Sequence, residues 1–329
     1  MFWGIITLIF DDKGATIKTI RIYALLFGFF CVSMVMVGFL IYKANHNLYV
    51  EDAKNSVESV LNLTQELISH KKQLALSIAL MFSQNEAIKE AYRDENRERL
   101  FELITHEIHT TKQYLQMEHL EVQLHTKEAK AWVRSWDFES YGSELATWRK
   151  GIALLHENKV PMVAVELGKR LNIKALAPIF DTDEFMGSLE VIIGFEEIAQ
   201  NLREKKIDFA ILMHHQLLEI GSWMKELEQI NDYVVVSSSC PTNCHTTLYP
   251  VAMPEILEQG FARNNHTLFG FTPLFDLESK PIGYIGVWFS ESLLKDSLLL
   301  RATLTPHPHL HVKTLSPASQ TTPREILIR

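Results

Sequence analysis

The longest apolar run, Ile22 to Tyr42 (IYALLFGFFCVSMVMVGFLIY), contains no charged residue. At about 1.5 Å of rise per residue it reaches across a hydrocarbon core of about 30 Å, so it predicts one membrane-spanning helix. A cleaved leader would carry a shorter apolar stretch and a small-residue cleavage site, whereas Lys43-Ala44-Asn45-His46 follows here. The opening MFWGIITLIF is too short to span and reads as an interfacial segment. Lys13, Lys18 and Arg21 precede the span, against Lys43 and a mixed stretch (Glu51, Asp52, Lys54) after it. The positive-inside bias therefore puts residues 1–21 in the cytoplasm and exports everything after the span at 22–42.

Past the span the period changes. From Asn45 to Phe82, Val57, Val60, Leu61, Leu67, Ile68 and Leu74 recur at three- and four-residue steps with polar residues between them, and no Pro or Gly interrupts. This predicts one long amphipathic helix continuing out of the membrane. A second helix is expected over Asn96–Tyr114, then a strand over His119–Leu124, helix again around Leu145–Glu157, and strands over Met162–Leu167, Ile173–Phe180 and Gly187–Gly194. Asp208–Leu218 and Tyr233–Ser237 read as strands flanking a helix around Trp223–Ile230. Helices ahead of antiparallel strands define an α+β architecture.

An internal repeat divides the exported part. Ala177-Pro178-Ile179-Phe180-Asp181, with Gly187-Ser188-Leu189-Glu190-Val191, echoes Thr272-Pro273-Leu274-Phe275-Asp276, with Gly283-Tyr284-Ile285-Gly286-Val287. Each copy is an apolar strand, a turn opened by Asp, and a return strand opened by Gly. The repeat predicts two lobes with antiparallel sheets: 43–200, including the long helix, and 201–297. The stretch 298–329, with Pro306, Pro308, Pro317 and Pro323 and no sustained period, is expected to be disordered. A signalling receptor would carry a second span after the second lobe; the expectation is a truncated or frame-shifted receptor whose output is missing.

Composition narrows the function classes. A formal net charge of -8 and a pI near 6.0 leave no basic stripe for a nucleic acid. Of three cysteines, Cys31 lies in the span, while Cys240 and Cys244 in SSSCPTNCHTT are spaced for a small disulfide in an oxidising compartment. Zinc would need more ligands than His245 adds. His214-His215 sit in an apolar strand, where alternation turns them to opposite faces. No nucleophile–base order, phosphate loop or HExxH is present, so an enzyme is not expected, and no cofactor or metal is implied.

The strongest candidate chemistry is Arg134-x-Trp136, because a guanidinium can grip a carboxylate with two N–H groups while an indole walls the pocket. Trp132, Tyr141, Trp148, Arg149, Glu166 and Asp181 are further candidates. The competing structural reading pairs Arg134 with Glu166 or Asp137 and buries the tryptophans in a core. Asp181 is equally explained by its turn.

The ordered set Leu124-His125-Thr126, Trp132-Val133-Arg134-Ser135-Trp136, Tyr141-Gly142, Trp148-Arg149-Lys150 and Val165-Glu166-Leu167-Gly168 resembles the double Cache sensor regions of chemotaxis receptors and sensor kinases, over roughly residues 44–292. The resemblance implies two PAS-like lobes, a small-molecule ligand in the membrane-distal one, and a homodimer held through the long N-terminal helix in the inner membrane. Arg134-x-Trp136 is similar to the element by which amino-acid-sensing relatives hold a ligand carboxylate. The Tyr expected five residues before the Arg is Ala129 here, so a small organic acid fits as well as an amino acid. Binding without signalling output, an exported enzyme, or a purely structural tethered dimer are the alternatives.

Overall fold

The computed structural model describes residues 17–240 and 244–295. The interfacial segment and the expected disordered tail lie outside the described residues. One helix, α1 (Ile17–Ser83, 67 residues), runs through both the apolar run and the amphipathic stretch. Its first part is the one helix among the described residues long and apolar enough to cross a membrane, and Leu25, Phe27, Phe29, Met34, Val35 and Phe39 all lie exposed. From Ala53 onward the stripe Ala53, Val57, Val60, Thr64, Ile68, Ala75 and Ile78 is buried, at three-, four- and seven-residue steps that keep one face against the rest of the chain.

Two short helices follow, α2 (Glu86–Arg93) and α3 (Arg97–Leu115). Asn85 and Asn96 cap them: Asn85 Oδ1 accepts from the Ala87 N–H at 2.9 Å, and Asn96 Oδ1 from the Arg99 N–H at 2.9 Å. The first sheet comprises β1 (Glu121–Thr126), β2 (Ala131–Arg134), β3 (Met162–Leu167), β4 (Leu171–Asp181) and β5 (Glu184–Ile193), with α4 (Lys150–Asn158) between β2 and β3. Its order is β2-β1-β5-β4-β3, antiparallel throughout.

Helix α5 (Glu196–Glu204) leads into the second sheet: β6 (Asp208–His214), β7 (Gln229–Ile230), β8 (Tyr233–Ser238), β9 (Phe261–Asn264), β10 (Thr267–Phe275) and β11 (Pro281–Ser290). The order is β7-β8-β6-β11-β10-β9, again antiparallel. Helices α6 (Cys244–Leu248) and α7 (Pro254–Gln259) cover its outer face through Leu248 and Leu257, and α8 (Ser292–Lys295) follows β11. The expected helix around Trp223–Ile230 is instead a 3-10 turn (Ser222–Met224) and the two-residue β7. Gly221 and the alternation into Ile230 defeat a helical period there.

The repeat is real in three dimensions. Pro178 faces Ser188 and Ile179 faces Gly187; correspondingly Pro273 faces Tyr284 and Leu274 faces Gly283. A register shift falls directly after each pair, at Ile179/Phe180 and Leu274/Phe275. A Cβ on Gly187 would collide with the carbonyl oxygen of His125, and one on Gly283 with that of Leu212. Each glycine therefore lets a third strand pass close beside the hairpin.

Strand alternation gives each sheet one face for α1. Val122, Leu124, Ile173, Leu189 and Val191 in the first sheet, and Phe209, Ile211 and Val287 in the second, join the α1 stripe in one core. Contacts are ordered along the helix: Val57 and Leu61 meet Gly270 of the second sheet and Gln65 Nε2 donates to Thr272 Oγ1 at 3.3 Å, while Lys71 pairs with Glu197 just after the first sheet. The second lobe thus packs on the stretch of α1 nearer the apolar segment.

Candidate ligand-binding site

The face of the first sheet turned away from α1 is polar at positions where the α1 face is aliphatic. Gln123 alternates with Val122 and Leu124, Lys174 with Ile173 and Ala175, Glu190 with Leu189 and Val191, and Glu166 stands beside Val165. Register brings them together: Gln123 lies opposite Arg134 on β2 and Glu190 on β5, Lys174 opposite Ile192, and Glu166 opposite Asn172. At one end α4 roofs this face with Ile152 and Leu155 over Leu176 and Phe185. The remainder opens into a cavity of about 100 Å³. At roughly 10–15 Å³ per water, it has room for several water-sized groups.

Arg134, Trp136, Asp137, Trp148, Arg149 and Lys174 line this cavity together with Gln123, Ser140, Leu145, Lys169, Arg170, Asn172, Ile192 and Trp223. The Arg134 guanidinium is buried and held by its own loop: Nη1 donates to the Ser140 carbonyl at 2.7 Å and to Ser140 Oγ, and Nη2 to Ser143 Oγ at 2.8 Å. It makes no ion pair with Glu166 or Asp137 among the described residues, so the pairing reading is not what the chain adopts. Burial lowers its pKa from the ordinary arginine value, partly offset by the charge of Asp137.

Arg149 is fixed. As the residue before α4 it meets Glu166 at 3.2 Å and Glu190, all three carboxyl and guanidinium groups being buried. Glu166 Oε1 also accepts the Gly151 N–H at 3.1 Å, capping the first turn of α4. Burial pulls the Arg149 pKa down, and Glu190 and Glu166 outweigh it, leaving it raised.

Lys174 is different. The residue is 4% exposed, its ammonium lies in the space over Gly168, and it makes no hydrogen bond or ion pair among the described residues. Burial, with the positive charge of Arg149, lowers its pKa to about 8 against the pull of Glu190 and Glu166. On β1, opposite Arg134, Gln123 Nε2 is buried without a partner. Behind them His125 shares Ser188 Oγ with His156, at 2.8 and 2.9 Å, while His125 Nε2 is unpartnered. Burial, then Arg149, holds His125 well below the usual imidazole value, so it is neutral.

Four sequence candidates, Trp132, Tyr141, Asp181 and Glu166, stand outside the cavity. Trp132 is the extra residue of a bulge, since Leu124 pairs with Val133 and His125 with Ala131; the bulge turns its ring onto Tyr92 at 4.6 Å. Tyr141 is exposed and lies under the Arg97 guanidinium at 3.9 Å. Asp181 is a surface partner of Arg93 at 2.8 Å, so neither a ligand-ammonium role nor turn capping alone describes it. Glu166 is committed to Arg149 rather than to the cavity.

Sequence reasoning missed Gln123, Lys174, Glu190 and Trp223. The first three were visible as polar residues at alternate places in otherwise aliphatic strands. Trp223 comes from the connection between β6 and β7, where its backbone N–H donates to the Lys169 carbonyl at 3.2 Å and Lys169 and Arg170 lie over its ring at 5.0 and 5.3 Å. A residue that belongs to the second lobe thus closes one edge of the first-lobe cavity.

In the second lobe the Cys240 and Cys244 thiols are free, not bridged. They hydrogen-bond to each other, and Ser238 Oγ lies 2.8 Å from Cys244 Sγ. That hydrogen bond, followed by burial, raises the Cys240 pKa; the same hydrogen bond, with that of Ser238, lowers Cys244 to about 7 against its burial. Among the described residues no three His, Cys, Asp or Glu side chains are grouped to hold a metal ion.

Residues 51–226 match the double sensory domain of two-component sensor kinases, dCache_3. The chain belongs to this double Cache family. Solved structures with a similar course include the extracellular domain of the histidine kinase vpHK1S-Z8 (13% identity, 79% of this chain and 99% of that chain, TM-score 0.46). The sensor domain of the V. cholerae histidine kinase DctB gives 14% identity, 72% and 96% coverage and a TM-score of 0.44. The ligand-binding domain of the Campylobacter jejuni chemoreceptor Tlp3 in complex with L-valine gives 14% identity, 76% and 96% coverage and 0.44. No match to a curated protein reaches significance.

Proposed function

We propose that the chain is the exported ligand-binding sensor of a transmembrane chemoreceptor or signal transducer, and that a small polar metabolite, an amino acid or an organic acid, occupies the first-lobe cavity. The observation that carries this reading is the convergence there of a buried guanidinium without a carboxylate partner (Arg134), a buried ammonium without one (Lys174) and an unpartnered amide (Gln123). Leaving buried polar groups unsatisfied costs roughly 1–3 kcal/mol each, more when charged, and a ligand that satisfies them recovers that cost. The site has the donors of a binding pocket and is read as binding its ligand rather than turning it over.

On this reading residues 22–42 cross the inner membrane once, the N-terminus is cytoplasmic, and two copies pair through α1. The ligand biases the first lobe between two arrangements, to the extent that it binds one more tightly. Two connections pass that bias on: α1, shared by both sheets, and the connection that places Trp223 on the cavity edge. The test is a thermal-shift screen of amino acids and organic acids on the full chain in detergent. Compounds that raise the Tm of the wild type should not raise that of Arg134→Ala; equal stabilisation of both would remove Arg134, and with it this site, from the reading.

A further inference from the structure

We propose that His125, Ser188 and His156 form a buried proton relay, so that the first lobe responds to acidity as well as to whatever lies in its cavity. Ser188 Oγ stands between two imidazoles, 2.8 Å from His125 Nδ1 and 2.9 Å from His156 Nε2. His125 and Ser188 face each other across β1 and β5, and His156 comes from the last turn of α4. Tyr92 Oη, 3.1 Å from both the His125 and the Ser188 carbonyl oxygens, ties the two strands together at this level. None of the three relay residues lines the cavity.

A hydroxyl carries one proton and donates to one ring only, so the other ring must donate to it. Which ring does so is set at the outer end. His156 also hydrogen-bonds the backbone of Lys127, and because that bond favours the charged ring it is one the ring donates to the carbonyl. With Nε2 on Ser188, the donated proton is on Nδ1. Neutral His156 therefore accepts the Ser188 proton at Nε2, and His125 Nδ1–H donates to Ser188 Oγ. His125 Nε2, buried and unpartnered, is bare. One added proton reverses the chain. A proton from water joins His125 Nε2, the Nδ1 proton passes to Ser188 Oγ, and the hydroxyl proton passes to His156 Nε2. Only N–H and O–H bonds change, and the one positive charge gained rests on His156. His125 ends neutral, as it began, with its proton moved from Nδ1 to Nε2.

The surroundings favour that end point. Burial, then the charges of Arg149, His156 and Arg134, keep His125 neutral, with Glu166 a partial offset. His156 is half-buried; burial lowers its pKa, while the Lys127 carbonyl and the Glu128 carboxylate, both on the turn between β1 and β2, pull it up. Its neighbour Phe185 meets the ring edge-on at 5.0 Å, and Lys159 of α4 lies over that phenyl ring at 5.5 Å. The Lys127 ammonium is paired with Glu184 at 2.9 Å. The charge thus arrives on α4, the helix that roofs the face of the sheet bearing the cavity and follows directly on Arg149. Acidification acts on that helix whether or not a ligand is bound.

The test is a nitrogen NMR titration of the full-length chain in detergent, labelled with 15N at histidine, from pH 8 to pH 4.5. The two rings are assigned by the signals lost in His125→Gln and His156→Gln. At pH 8 His125 should carry its proton on Nδ1. As His156 becomes charged, with a midpoint below the usual 6.5, His125 should stay neutral and its proton should appear on Nε2 over the same pH range. Ser188→Ala should leave the His156 titration in place and abolish the exchange at His125. His156→Gln should hold His125 in one tautomer at every pH, and serves if Ser188→Ala does not fold. A wild-type His125 that keeps one tautomer throughout, that becomes charged itself, or that changes equally in Ser188→Ala would overturn the relay. None of these results touches Arg134 and the cavity, which stand or fall by the ligand screen.

Discussion

Lys174→Met should make the ligand-free protein more stable while removing a binding group. Lys174 titrates at about 8 in the folded chain instead of its usual 10.5, chiefly because it is buried. At 1.36 kcal/mol per pH unit, keeping it charged at pH 7 costs the folded state about 3 kcal/mol. Methionine fills a similar volume without the charge, so the variant should gain about that much, or roughly 6–12 °C in Tm for a folded region of this size. The sign with pH follows from linkage. The folded value lies below the unfolded one, so the penalty is complete below about pH 8 and disappears as pH rises to 10.5. Denaturant melts of the two proteins in detergent, without ligand, at pH 7, 8, 9 and 10 should therefore show a stability difference that is largest at pH 7 and shrinks steadily to a small remainder at pH 10. A variant no more stable than the wild type at pH 7, or a difference that ignores pH, would refute the claim that this ammonium is held at a cost for a ligand.

Two further substitutions test the frame around the site. Glu190→Gln leaves the buried Arg149 with Glu166 as its one carboxylate partner and should cost about 3 kcal/mol, measured by denaturant melting; loss of less than 1 kcal/mol would mean that this ion cluster does not position α4. Gly283→Ala drives a methyl group into the backbone of β6 at Leu212 and should cost about 2 kcal/mol, and an unchanged Tm would contradict the close strand passage inferred from the repeat.

How much was legible in the sequence varied with the range of the interactions involved. The uncharged run at Ile22–Tyr42 and the three- and four-residue spacing after it depend on local period alone, and α1 follows them. The hairpin repeat was equally readable, because Pro, Asp and Gly mark the same turn twice, and even its bulges recur at matching residues. Arg134, Trp136, Trp148 and Arg149, from one aromatic and basic stretch, line the same cavity. What was hidden depends on contacts between distant residues. The bulge that swings Trp132 onto Tyr92 is set by β1, and the bond that takes Asp181 out of consideration comes from Arg93 on α2. Trp223 could not be foreseen on the rim, since its place is fixed by a backbone hydrogen bond to Lys169, more than fifty residues earlier. Lys174 was open to inspection in LNIKALA, where Ile173 and Ala175 on either side of it are apolar and a lysine at an alternate place marks the second face of a buried strand.

The most direct test of the central claim is a ligand-bound structure of the chain with the tightest-binding acid from the screen. The ligand should lie in the first lobe between Arg134 and Lys174, with an oxygen within hydrogen-bond distance of each and of Gln123 Nε2, and with Trp223 against its edge. A ligand seated in the second lobe, or one in the first lobe that leaves Arg134 and Lys174 both untouched, would contradict the account.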